Sequence, residues 1–229
     1  MLHSCMIRFI IMAALTSSIV LPAAAQTRPP GIVDASTLVP NLVIDMRYLG
    51  SDNFVGKPID GYEKPICYLT REAAAALAAV ARDLAPQGLA IKAFDCYRPV
   101  RAVAHFVRWA RDLRDEARKA DYYPQVEKRN LFRDGYIAAR SGHSRGSTLD
   151  MTLVRRDGGK ELDMGTPFDF FSSRSAPGDK SVSAEAQANR KLLADAMRRR
   201  GFTPYSKEWW HFTLRNEPFP NTFFDFPVR

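Results

Sequence analysis

Two histidines and two acids in the second half of the chain carry the residue types of a catalytic metal centre. One group reads Ser141-Gly-His143-Ser-Arg-Gly146-Ser-Thr-Leu-Asp150, and the other, further along, reads Glu208-Trp-Trp-His211. Two imidazoles and one carboxylate fill three corners of a zinc tetrahedron and leave the fourth open to water, as in catalytic rather than structural sites. Glu208 is then the candidate general base. Of the four histidines, His3 falls in the leader and His105 sits mid-helix among apolar residues, so neither competes for the metal.

Taken singly, each residue has a plainer explanation. A histidine beside a glycine-rich turn is ordinarily a hydrogen-bonded loop residue, and Asp150 alone would serve as a turn former or ion-pair partner. The specificity lies in the set. One geometric condition attaches to it: residues three apart in an ideal strand face opposite sides. Glu208 and His211 therefore share a cleft only if the backbone bends between them.

The elements that must position these groups are legible from patterning. Leu42–Tyr48 alternates and is β-branched enough for a strand, followed by a turn-rich loop over 50–64. Thr70 caps a helix with Glu72 in its first turn and Leu77, Val80 and Leu84 on its buried stripe, stopped at Pro86-Gln-Gly88. Leu89–Phe94 is a short strand running into Asp95-Cys-Tyr-Arg98-Pro99, which holds Arg98 extended ahead of a helix from Val100 to about Lys119. Tyr122 to Arg140 reads as irregular or weakly helical. Ser147–Val154 is a strand, 155–159 a hairpin turn, Ser181-Val-Ser183 begins a helix that reaches Arg200 and is ended by Gly201, and Trp209–Leu214 is a last strand. Arg198-Arg-Arg200 suits the helix's last turn, and core packing accounts for Trp209 and Trp210. The mixture predicts an α+β fold: a single domain with a central antiparallel sheet flanked by helices, the sheet carrying the site.

The first 25 residues read as an export signal. Arg8 closes a short positive region, Phe9–Leu21 is apolar, and Ala23-Ala-Ala25 precedes the expected cleavage. A retained membrane anchor is the competing reading, but the apolar run is too short to span. Residues 26–229 then form one domain, expected outside the cytoplasm, periplasmic or extracellular, without stable membrane insertion. Cleavage removes Cys5 and leaves Cys67 and Cys96, which an oxidising compartment permits to pair; two separate buried thiols are the alternative. The formal net charge of +8 suits an anionic cell envelope. No nucleic-acid motif accompanies it, and no protein partner is expected.

The pattern Ser141-x-His143-x-x-Gly146-x-x-x-Asp150 with Glu208-x-x-His211 resembles the signature of zinc D-Ala-D-Ala peptidases. The segments Asp95-Cys-Tyr-Arg98-Pro99, Gly165-Thr-Pro-Phe-Asp169-Phe and Glu208-Trp-Trp-His211 narrow the likeness to the VanX-type D-alanyl-D-alanine dipeptidases. It runs from Asp45-Met-Arg-Tyr48 to the tail at Pro227, with Thr148 departing from the alanine usual there. The resemblance implies a hedgehog/DD-peptidase-like fold and one zinc ion per chain, held by His143, Asp150 and His211. It further implies Glu208 as base and Arg98 as oxyanion stabiliser. Ser141 would meet the carboxylate of a small D,D-dipeptide, and Tyr48 and Asp169 its ammonium. The rival readings are a D,D-carboxypeptidase or endopeptidase acting on longer stem peptides, and a non-catalytic zinc protein that only binds peptide termini.

Overall fold

The computed structural model describes residues 27–229; the export signal expected over 1–25 lies outside the described residues. Among the described residues, two sheets and four α-helices make one α+β domain. Strands β1 (Ile32–Asp34) and β3 (Tyr68–Thr70) form an antiparallel ribbon. The main sheet has the order β2-β4-β5-β7-β6. Its members are β2 (Val43–Ile44), β4 (Leu89–Asp95), β5 (Thr148–Arg155), β6 (Phe202–Pro204) and β7 (His211–Leu214). β4, β5, β7 and β6 pair antiparallel as expected, whereas the edge strand β2 runs parallel to β4. The sheet is therefore mixed at one edge. Among the described residues no helix is long and apolar enough to cross a membrane.

Helix α1 (Arg71–Leu84) starts where Thr70 Oγ1 accepts a hydrogen bond from the Ala73 amide, and Gly88 turns the chain out at φ +70°. Helix α4 (Ala184–Arg199) starts likewise at Ser183, which accepts from the Ala186 amide. The two helices pack together, α1 also meeting β3 and β4 and α4 meeting β6. Arg200 locks their ends by a bidentate contact with Asp83 of α1.

Three expected elements differ. Helix α2 (Val100–Arg111) is shorter than the pattern suggested, and Pro99 is its N-cap. Asp112 takes an extended conformation and its carboxylate accepts from the Arg114 amide, a local bond that competes with another helical turn. Helix α3 (Lys119–Tyr122) follows as a separate turn. The expected strand 42–48 holds only as β2, because Asn53 binds the Gly50 and Lys57 carbonyls and draws Arg47–Leu49 into a 3₁₀ turn. Tyr48 thus sits on that turn. The last strand begins at His211, with Glu208-Trp-Trp in the turn before it.

Cys67 and Cys96 are joined by a disulfide with Cα atoms 5.2 Å apart, tying the start of β3 to the end of β4. The aromatic tail packs back on this region, Phe226 stacking on Tyr97 at 4.0 Å. Gly146 lies between the two sheets at φ +79°, where a Cβ would stand 2.6 Å from Ile32 Cδ1. Gly146→Ala is therefore expected to lower unfolding free energy by about 2 kcal/mol or more, left-handed strain adding to overpacking. Chemical denaturation checks this; an unchanged midpoint would refute the close-approach explanation.

Candidate active site

The site grows from one row across the sheet. Asp95, Asp150 and His211 are successive cross-strand partners on β4, β5 and β7, so their side chains share a face. That row depends on a bulge: the β4–β5 register shifts between Ala93 and Asp95. Without it Phe94 would oppose Asp150 and Asp95 would point away. His143 comes from the 3₁₀ turn Gly142–Arg145, which Ser141 caps by accepting from the His143 amide.

The ligand atoms of His143, Asp150 and His211 all lie within 4.8 Å of one another. His143 Nδ1 donates to the Cys96 carbonyl at 2.7 Å, which leaves Nε2 as the lone-pair nitrogen facing the cluster. His211 presents Nδ1, 3.0 Å from Asp150 Oδ1. Asp150 Oδ1 is buried and makes no well-formed hydrogen bond, an expensive state for a carboxylate oxygen unless a cation completes it. Two imidazole nitrogens and one orphaned carboxylate oxygen, converging, fit a zinc ion. Burial alone would raise the Asp150 carboxyl, but the adjoining His143 and His211 imidazoles draw it far below the usual carboxylate range.

The turn at Trp209-Trp210 supplies the bend that a regular strand would lack. Glu208 Oε2 reaches 3.6 Å from His211 Nδ1. Burial pushes the Glu208 carboxyl up to about 7, the neighbouring Asp150 charge adding to the effect and His211 opposing it. Both tryptophans are buried, with Trp209 Nε1 donating to Thr166 and Trp210 edge-on to Phe168.

Arg98 emerges from the end of β4 and is clamped in place. Its Nε donates to Asp95 Oδ2 at 2.9 Å, its Nη2 lies 3.5 Å from Asp150 Oδ2, and its guanidinium packs over the Tyr48 and Phe106 rings. Tyr48 donates to Asp169 Oδ2 at 2.7 Å. Asp169 sits in a turn at φ +59°. Burial, reinforced by Asp150, pushes the Asp169 carboxyl well above its ordinary range. Tyr48, Arg98, Ser141, His143, Asp150, Asp169, Glu208 and His211 all line one cavity of about 290 Å³, at the small end for ligand pockets. His105 is elsewhere, against Asp60.

Sequence reasoning passed over Asp95. It is wholly buried, accepts from Tyr62 and Arg98, and lies 3.4 Å from His143 Nδ1, so one carboxylate braces both an arginine and an imidazole. Its only signal was its place three residues before Arg98. The departure at Thr148 is also accommodated: Thr148 Oγ1 bonds Thr213 Oγ1 across the sheet, and a side chain at Gly142 would stand 2.9 Å from that hydroxyl. The smallest residue at 142 makes room for the larger one at 148.

The profile of the D-Ala-D-Ala dipeptidase family matches residues 28–229. A D-alanyl-D-alanine dipeptidase of Enterococcus faecium is 43% identical over 185 residues, covering 81% of this chain and 92% of that protein. One from Streptomyces coelicolor is 40% identical over 191 residues, covering 83% and 95%. A third, from Escherichia coli K12, is 36% identical over 183 residues, covering 80% and 84%.

Proposed function

Because the chain belongs to the D-Ala-D-Ala dipeptidase family, we propose that it hydrolyses D-Ala-D-Ala to two D-alanines, using one zinc ion held by His143, Asp150 and His211. The observation that carries this reading is the convergence of those three ligand atoms within 4.8 Å, with Glu208 beside them and Tyr48 and Asp169 in the same cavity. Zinc bound by such a set acidifies water to a pKa of about 7 and polarises a carbonyl.

The protein's own groups do the rest. Glu208 takes a proton from the attacking water and delivers it to the amine of the departing D-alanine as the C–N bond breaks, ending in its starting state. Arg98 stays charged and meets the negative charge that grows on the carbonyl oxygen, strengthening as the tetrahedral centre forms. Asp95 and the two aromatic rings hold the guanidinium there, so little reorganisation is needed during reaction. The substrate ammonium offers Asp169 the counter-charge that favours its ionised form, and the Tyr48 hydroxyl fixes the carboxylate's orientation. Ser141 donates toward the substrate carboxylate.

A buried acid reserved for a free amine closes the cavity to chains extended on that side. This favours a dipeptidase over a D,D-carboxypeptidase or endopeptidase cutting longer stem peptides, and a water-activating base has no use in a protein that only binds peptide ends. Residues 1–25, read as an export signal, would put the activity outside the cytoplasm, where scavenging of wall fragments is the fitting role. Purified protein is expected to release free alanine from D-Ala-D-Ala and not from L-Ala-L-Ala. Turnover of the L,L substrate alone, or attack on a pentapeptide stem but not the dipeptide, would overturn the assignment.

A further inference from the structure

A dipeptide zwitterion brings one positive and one negative end into the cavity, and each must meet an opposite charge or lose its hydration uncompensated. The acids of the lining are accounted for. The permanent cations are fewer: among the described residues only Arg98 and Arg140 line the cavity. Arg98 is committed, with Asp95 at 2.9 Å and Asp150 at 3.5 Å. Ser141 brings a hydroxyl but no charge. Arg140 remains.

Its surroundings suit it to that task. Arg140 immediately precedes Ser141, on the approach to the metal-binding turn, and is exposed. Its guanidinium lies over the Phe223 ring with Cζ 4.1 Å from the centroid. Arg145, near the same ring at 5.7 Å, is neutralised by a bidentate pair with Glu217. Among the described residues no carboxylate pairs with Arg140, although Asp169 and Glu208 line the same cavity. Stacking on a ring face restrains a guanidinium while leaving its edge N–H groups free for a carboxylate fork.

We propose that Arg140, held on Phe223, is the charged receptor for the substrate's C-terminal carboxylate and sets the enzyme's preference for a free acid at that end. This rests on the dipeptidase reading. The group recognised is a planar carboxylate on the residue that leaves. Ser141 supplies a neutral hydrogen bond beside it, and the arginine supplies the charge.

The test compares D-Ala-D-Ala with its C-terminal amide, D-Ala-D-alaninamide, in the wild-type enzyme and in Arg140→Met, Arg140→Lys and Phe223→Leu. The wild type is expected to favour the acid, with KM for the acid alone rising as salt is added, since the arginine is exposed. Arg140→Met should raise KM for the acid about 10- to 100-fold, the range for a hydrogen bond to a charged group. Its kcat should stay within about threefold because the reacting atoms are untouched. The acid-over-amide preference should collapse with it, which isolates the arginine–carboxylate coupling from any general change. Arg140→Lys keeps part of the preference, and Phe223→Leu raises KM less than Arg140→Met. Unchanged KM and preference in Arg140→Met, with the wild type active, would overturn the role of Arg140 and leave the dipeptidase reading standing. A salt-insensitive wild type that cleaves acid and amide equally would overturn it without any variant. A wild type that cleaves neither would sink the dipeptidase reading, and this inference with it.

Discussion

Glu208→Gln is expected to lower kcat on D-Ala-D-Ala by about 10²–10⁴-fold, the span of a lost general acid–base catalyst, while zinc content and KM stay near wild type. Glutamine keeps the shape of the side chain and so leaves the turn at Trp209-Trp210 intact. What it loses is the capacity to accept a proton and return it. Glu208 stands 3.6 Å from His211 but outside the trio of ligand atoms that converge. Its loss should therefore separate catalysis from metal binding, which replacing His211 would not do. Burial raises the Glu208 carboxyl to about 7, which suits the proton-accepting role proposed for it near neutral pH. Single-turnover rates beside metal analysis decide the matter. A variant with full activity would remove Glu208 from the mechanism, and one that had lost its zinc would make it a ligand or a structural brace.

What could be read from the sequence divides along a physical line. Local signals survived folding: Thr70 caps α1, Ser181-Val-Ser183 leads into α4, Gly88 and Gly201 end the helices or their extensions, and Pro99 precedes α2. That His143, Asp150 and His211 could meet was also legible, because zinc chemistry restricts the residue types that can hold the ion, and the fold brings their ligand atoms within 4.8 Å of one another. Pairing between distant segments was not. The β1–β3 ribbon uses strands of three residues, too short to show a period. The bulge at Phe94–Asp95 leaves no mark in composition, since it consists only of a register shift against β5. Asp95 was overlooked for the same reason: its partners Tyr62, Arg98 and His143 come from three parts of the chain. Side-chain bonds to nearby backbone also overrode propensity, Asp112 ending α2 and Asn53 bending the chain around Tyr48. The condition set by Glu208-x-x-His211 was met in a specific way, by starting the strand at His211 so that the acid lies in a turn.

Stripping divalent metal with a chelator is expected to abolish dipeptide turnover and to lower the thermal midpoint by several degrees, both restored by stoichiometric zinc. Turnover vanishes because Glu208 and Arg98 then have no sufficiently acidic water and no polarised carbonyl to act upon. The stability effect has its own cause. Asp150 Oδ1 is buried without a hydrogen bond, with His143 Nε2 at 3.4 Å and His211 Nδ1 at 3.0 Å. A cation that binds this folded cluster and not the unfolded chain adds about 4 kcal/mol when present at a thousand times its dissociation constant. Calorimetry of the chelated and reloaded protein measures that term independently of activity. His143→Ala and Asp150→Ala should lose the zinc-dependent part of the midpoint along with turnover, whereas Glu208→Gln should keep it. If chelation left the midpoint and the activity untouched, then His143, Asp150 and His211 would be a hydrogen-bonded buried cluster, and hydrolysis, if present, would need another source of activated water.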